Sequence, residues 1–380
     1  MRRAAVLGSP IAHSLSPALH RAAYRALGLR DWTYEAIDVP EDRFPGWFAG
    51  LGPEWAGLSL TMPLKRVAPP LLDHVEPLAR AVGGVNTVLV TPAGTVGANT
   101  DVHGIVAAVR EALPDAAPSG PADPHAPFGG AGALGGGEGK NPVGGATAGA
   151  ARDAVPHVPA AARVPFGAAE FPGGATAALA GTGAARSAPA DPHAPFGGAE
   201  ALGDGAARDA ASHVPAAARL SFGAAEILGG GATAAAALAA AAELGVGAVR
   251  VHARSMARSR PLLEAAARMG ARPELRRLTE SAPPELWAGE LVVSTLPPRA
   301  ADPLAQRLRA ARMDLAGRLL LDVAYEPWPS ELASAWRDAG GTVVSGKAML
   351  LHQAAEQVRL MTGRPAPLEA MRAAIEQRQP

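Results

Sequence analysis

Short apolar runs alternate along this chain with stretches whose apolar positions recur every three or four residues, the pattern of strands followed by amphipathic helices. Over 1–113 the pattern predicts strand Ala4–Leu7, helix Pro17–Leu27, strand Thr33–Val39 and a helix near Arg43–Leu51. Strand Ala56–Leu60, helix Leu64–Leu72, strands at Thr87–Val90 and Thr95–Gly97, and helix Val102–Leu113 complete that stretch. From 224 onward it resumes with strand Ala225–Leu228, an alanine-rich helix Ala232–Leu244, strand Ala248–Ala253 and helix Ser259–Met269. Strands Leu291–Thr295 and Leu319–Ala324 follow, then two closing helices, Met349–Met361 and Pro367–Arg378. Such alternation predicts an α/β protein with a mostly parallel, doubly wound sheet.

Between Pro114 and Gly223 the pattern vanishes. Only fourteen of these 110 residues are Leu, Val or Phe, and none is Ile, Met, Trp or Tyr. That falls below the roughly 20% of large apolar residues at which a chain can still offset its ordering entropy. The stretch also repeats itself. PADPHAPFGGAGAL (Pro121–Leu134) returns as PADPHAPFGGAEAL (Pro189–Leu202), and Gly149–Glu170 returns almost unchanged as Gly205–Glu226. The units carry too few apolar residues to stack as a solenoid, so 114–223 reads as a duplicated, disordered insert. GGGEGK at Gly135–Lys140 resembles a phosphate loop, but Leu134 and Asn141 break its pattern. Setting the insert aside leaves a first lobe, 1–113 completed by helices in 347–380, and a second lobe, 224–346.

Charge and composition narrow the function. The 35 basic residues balance 35 acidic ones, so the chain lacks the basic excess that nucleic acid or an anionic membrane surface requires. It has no Cys, which excludes a disulfide scaffold, a thiolate metal site and a Cys nucleophile. No apolar run approaches the ~18 residues of a membrane span. Arg2-Arg3 precedes an apolar run too short for a signal peptide. We expect a soluble, cytoplasmic protein, monomeric or homodimeric, that acts on a small molecule without a metal, away from membranes and nucleic acids.

Candidate chemistry falls on both lobes. Leu228-Gly229-Gly230-Gly231-Ala232-Thr233-Ala234 links a strand to a helix and matches G-x-G-x-x-A. In that motif the first glycine makes the turn, and a later one lets a pyrophosphate approach the helix N-terminus. The next strand ends in Ala253-Arg254-Ser255-Met256-Ala257-Arg258, and from Val246 to Arg260 no acid occurs while Arg250, Arg254, Arg258 and Arg260 form a basic cluster. Readers of NAD place a carboxylate there for the ribose 2′-OH, whereas guanidinium forks suit the 2′-phosphate of NADP. Taken alone, the cluster is equally a solvated basic loop.

In the first lobe, Ser14 and Ser16 follow a strand, with Ser16 also placed to cap a helix beginning at Pro17. Thr61-Met62-Pro63-Leu64-Lys65 sets a lysine in a helix's first turn, where the macrodipole opposes a cation and favours the neutral amine of an acid/base group. Asn99-Thr100-Asp101 offers Asp101 either as an N-cap or as a functional carboxylate, and Asn86-Thr87 enters a strand after a glycine turn.

In order along the chain, these motifs resemble those of the shikimate dehydrogenase family. The resemblance rests on Ser14-x-Ser16, Thr61-x-x-x-Lys65, Val85-Asn86-Thr87, Asn99-Thr100-Asp101 and Gly229-x-Gly231. It continues through Arg254-Ser255-x-x-Arg258, Asp322-x-x-Tyr325 and Gly346–Gln353. It implies an N-terminal α/β substrate lobe and a Rossmann-like nucleotide lobe, and NADPH-dependent reduction of 3-dehydroshikimate to shikimate in aromatic amino-acid biosynthesis. It further implies that Ser14, Ser16, Thr61, Asn86, Asp101, Tyr325 and Gln353 bind the substrate, with Lys65 and Asp101 the catalytic pair. Gly229, Gly230, Gly231, Ala232, Thr233, Arg254, Ser255, Arg258 and Gly346 would hold NADP. Three departures stand out: Ala253-Arg254-Ser255 replaces the family's common Asn-Arg-Thr, Ala232 replaces a frequent glycine, and the insert occupies a hinge. The competing readings are a quinate-preferring enzyme using NAD, a non-catalytic ligand sensor, and a copy made inactive by its insert. The missing acid near Arg254 weighs against the first, and intact Lys65 and Asp101 against the second.

Overall fold

A computed structural model describes residues 1–113, 222–279 and 284–376. The expected disorder of the insert therefore concerns residues that, up to 221, lie outside the described ones.

The first sheet is built from β1 (Arg2–Gly8), β2 (Trp32–Asp38), β3 (Trp55–Leu60), β4 (His74–Val75), β5 (Thr87–Thr91) and β6 (Gly94–Ala98) in the order β2-β1-β3-β5-β6-β4. It is mixed: β1 runs parallel to β2 and β3, while β5 is antiparallel to both β3 and β6. Its helices are α1 (Ser16–Ala26), α2 (Phe44–Ala49), α3 (Pro77–Val82) and α4 (Asp101–Ala112).

The second sheet comprises β7 (Ala224–Leu228), β8 (Ala248–Ala253), β9 (Glu274–Arg277), β10 (Leu291–Ser294), β11 (Leu319–Asp322) and β12 (Thr342–Ser345). Every pairing in it is parallel, in the order β12-β11-β10-β7-β8-β9. That is the Rossmann order, with the strand sequence reversing between β7 and β10, where the ends of the strands open a crevice. Helices α5 (Ala232–Glu243) and α6 (Arg260–Arg268) cover one face, and α7 (Asp302–Ala311) and α8 (Glu331–Asp338) the other. Helix α5 is buried nearly all round, which is why alanine fills it and no polar face is present.

The chain then returns to the first sheet. Helices α9 (Gly346–Thr362) and α10 (Leu368–Glu376) pack on β1, β2 and α1 through Leu351, Val358, Met371 and Ile375. Helix α4 ties the halves together, because Val102, Ile105 and Val109 share one apolar cluster with α5, β7 and β8.

Several expectations need correction. The helix expected at Leu64–Leu72 is two single 3-10 turns, Leu64–Arg66 and Pro69–Leu71. Pro69 and Pro70 have no N–H to donate, so an α-helical ladder cannot pass through them. The Lys65 carbonyl instead accepts from Val85 N at 2.8 Å, fixing this turn beside the entry to β5. A single turn has no row of aligned peptides, so the macrodipole reason for an acid/base lysine does not hold there. Ser16 does not cap α1 either: it lies inside the first turn, buried, and its N–H donates to Ser14 Oγ at 3.3 Å. The insert ends two residues early, since Phe222 is buried in the α5 cluster and Gly223 N–H donates to Glu290 Oε2 at 2.5 Å. Elements α3, α7, α8, β4, β9 and β12 were not anticipated. Strand β4 has two residues and β9 reads Glu-Leu-Arg-Arg, so neither carries an apolar run.

Candidate active site

Between the two sheets lies a cavity of about 290 Å³. The first lobe contributes Ser14 and Ser16 from the β1–α1 segment, and Thr61 and Lys65 from the segment after β3. Asp101 opens α4, and Gln353 reaches the cavity from α9. The second lobe contributes Thr233 at the start of α5, Tyr325 after β11, and Gly346. Residues from six distant stretches of sequence thus converge on one space.

At its centre Lys65 Nζ donates to Asp101 Oδ2 at 2.5 Å. The aspartate is almost fully buried and the lysine about one-sixth exposed, so the pair is shielded from water on one side and open to the cavity on the other. Asp101 is free for this role because Asn99 does the capping: Asn99 Oδ1 accepts from Asp101 N at 3.1 Å and from Val102 N at 3.4 Å. The second oxygen, Asp101 Oδ1, accepts from Asn86 Nδ2 at 2.8 Å. Asn86 itself does not line the cavity; it sits behind it, buried, also donating to Gln353 Oε1 at 2.9 Å and Thr100 Oγ1 at 3.0 Å. Tyr325 is mostly buried, which raises its hydroxyl's pKa, as does the charge of Glu326.

Three polar residues of this network escaped the sequence reading. Ser59 and Gln357 line the cavity with their neighbours, and Thr100 bonds Asn86 from behind. Gln357 follows Gln353 by four residues on α9, one helical turn, so two glutamines on a shared face were the available signal.

The glycine turn and the arginines stand apart, at the ends of β7 and β8. Gly229 has φ +119°, and a Cβ there would lie 2.2 Å from Thr295 Oγ1, so only glycine makes this turn. Gly230 follows, and Gly231 precedes α5 with open space where a Cβ would be. Ala232 begins the helix without a positive φ, so alanine costs nothing at that position. Gly346 is needed for packing: a Cβ would meet the Val323 carbonyl at 2.1 Å.

Arg254 and Arg258 are exposed, with no side-chain partner among the described residues. Ser255 Oγ accepts from Arg258 N at 3.3 Å, which shapes the loop and leaves the hydroxyl proton free. The arginine cluster is smaller than its sequence suggested. Buried Glu226 on β7 accepts from Arg250 Nε at 2.8 Å and lies 2.7 Å from His252 Nε2, while Arg260 pairs with Glu264.

Fold and cleft define a two-lobed α/β protein in which a Rossmann-like sheet faces a Lys–Asp pair. Residues 6–88 match the shikimate dehydrogenase substrate binding domain, and 348–376 the shikimate 5′-dehydrogenase C-terminal domain. Among curated proteins, a Thermus thermophilus shikimate dehydrogenase (NADP(+)) is 46% identical over 110 residues, 29% of this chain and 41% of that protein. The matched stretch thus spans under half of that relative. Among solved structures, Mycobacterium tuberculosis shikimate dehydrogenase is 32% identical with TM-score 0.62, covering all of both chains. A Mycobacterium fortuitum shikimate 5-dehydrogenase is also 32% identical, with TM-score 0.61, covering 98% of this chain and 97% of that one. The Thermus thermophilus enzyme, solved with NADP(H) and shikimate, shares the fold at 24% identity and TM-score 0.59, covering 99% of each chain. The chain belongs to the shikimate dehydrogenase family. Among the described residues no helix is long and apolar enough to cross a membrane.

Proposed function

We propose that this protein catalyses the reversible, NADPH-dependent reduction of 3-dehydroshikimate to shikimate. The observation that carries the reading is the Lys65–Asp101 pair at 2.5 Å, facing a cavity otherwise rich in hydroxyl and amide groups. A carboxylated ring with several hydroxyls needs such partners, and Ser14, Ser16, Thr61, Tyr325 and Gln353 supply them. Asn86 acts from behind, holding Asp101 and Gln353.

The second lobe fits a dinucleotide. The Gly229 turn leads into α5 with open space above Gly231, and two arginines, exposed and unpaired among the described residues, offer forks for a 2′-phosphate. When bound, NADPH supplies the hydride. In the reduction Lys65 donates a proton to the substrate oxygen as the carbonyl becomes an alcohol, and in the reverse direction it takes that proton back. Asp101 holds the ammonium in place and balances its charge. By the same reading the protein acts in the cytoplasm as a monomer or homodimer, on a free small molecule.

The test is nicotinamide absorbance with purified protein, offering shikimate or quinate with NADP or NAD. Turnover should be greatest with shikimate and NADP. A preference for quinate with NAD, or binding without turnover, would overturn the proposal.

A further inference from the structure

We infer that Gln357 is a positioning residue for the Lys65–Asp101 pair, acting through Thr87 and Asn86; this rests on the function proposed above. Gln357 is buried on α9, one turn beyond Gln353. Its Nε2 donates to the backbone carbonyl of Asn86 at 3.2 Å and to Thr87 Oγ1 at 3.0 Å. A carbonyl only accepts, so the Asn86 oxygen decides which end of the Gln357 amide is the nitrogen.

The consequences run in one direction. Because Thr87 Oγ1 accepts from Gln357, its own proton goes to Asn86 Oδ1, 2.8 Å away. The same Asn86 oxygen accepts the Thr100 backbone N–H at 2.8 Å, a donor with no alternative role. Both groups hold Asn86 with its nitrogen toward Asp101, to which it donates at 2.8 Å. Upstream, Tyr34 donates to Ser59 at 2.6 Å, and Ser59 to Gln357 Oε1 at 2.8 Å. His20 lies against the same oxygen at 3.3 Å and stacks on Tyr34, and burial lowers its pKa to about 3, so it stays neutral there. Donors therefore point the same way from Tyr34 to the Asp101 carboxylate, and such chains strengthen each link. Gln357 is the member whose amide sets that direction. A purely apolar residue would take one hydrogen bond each from Ser59, Thr87 and the Asn86 carbonyl, leaving them only Tyr34, the Asn86 and Thr100 side chains, and the Leu60 N–H.

The test is Gln357→Met, which keeps length and bulk but removes both polar atoms, with a thermal melt to verify folding. We expect kcat for shikimate oxidation to fall about tenfold with KM moving less than about threefold, the pattern of a group felt only in the chemical step. The Asn86 side-chain amide protons, followed by NMR, should exchange about tenfold faster than in the wild type as their restraint is lost. Adding Thr87→Val should cost little more, since both changes cut the same link. If Gln357→Met fails to fold, Gln357→Glu keeps the Ser59 acceptor, removes the donor to Asn86 and should give the same split. Unchanged kcat and unchanged Asn86 exchange in a folded variant would overturn the inference, as would a loss confined to KM, which marks a substrate contact. If the wild type does not turn over shikimate, the functional proposal fails on its own, and Asn86 exchange alone decides whether Gln357 positions the pair.

Discussion

Around Lys65 and Asp101, Asn86, Thr87, Thr100, Gln353 and Gln357 bond one another inside the protein, whereas at the ends of β7 and β8 Arg254 and Arg258 stand exposed and unpaired among the described residues. The two walls of one cleft thus present different physics. The substrate wall is preorganised: its donors and acceptors are oriented before anything binds, so little reorganisation remains at the moment of reaction. The wall proposed for the nucleotide holds fixed backbone, the Gly229 turn and the start of α5, beside exposed charges whose counter-charge would arrive with the ligand. On the proposed function, one wall would select by geometry and the other by charge.

The largest effect should come from the preorganised wall. Lys65→Ala removes the proposed proton donor and should lower kcat by ~10²-fold or more, with shikimate binding changed far less. Near-normal turnover would place the proton elsewhere. On the other wall, Arg254→Ala should weaken NADP about tenfold, the value of one charge-assisted contact, and leave NAD unchanged. Equal weakening of both cofactors would erase the contrast, making the arginine a general support rather than a reader of the 2′-phosphate.

Acid sharpens the comparison, because it should attack the buried network first. Burial holds the His20 pKa at about 3, below its ordinary 6.5. Between those values the unfolded chain binds a proton that the native protein does not, so stability falls as pH drops from about 6.5 toward 3. This one group contributes a slope of at most about 1.4 kcal/mol per pH unit. Urea melts across that window should show the decline, and His20→Phe should flatten it. An identical slope in the variant would locate the acid sensitivity elsewhere.

The smallest effect should come from shortening the insert. A chain joining Leu113 to Phe222 through a short Gly/Ser linker should retain shikimate oxidation within several-fold, since loop closure changes by only about 0.6 kcal/mol per doubling of length. Joining at Ala224 instead would delete Phe222 from the α5 cluster and should lower the melting temperature. Loss of activity in a folded shortened protein would assign the insert a working role.

Local sequence determined the alternation of strands and helices, the glycine turn, and the short motifs that carry Ser14, Lys65, Asp101 and Gln353. Each of these depends on periodicity or on a few neighbouring residues. Partner choice was out of reach, because it depends on strand register and on segments far apart in the chain. Arg250 counted among the basic cluster until parallel pairing of β7 with β8 set Glu226 opposite it. Gln357 reaches the Asn86 carbonyl across 271 positions, and nothing local to either residue records that meeting. Phe222–Glu226 repeats the pentapeptide at Phe166–Glu170, and what makes the second copy the start of β7 is the sheet beside it, between β10 and β8. A pentapeptide's own propensities are worth little against the burial and ladder hydrogen bonds its surroundings provide, so only the tertiary structure could decide its place.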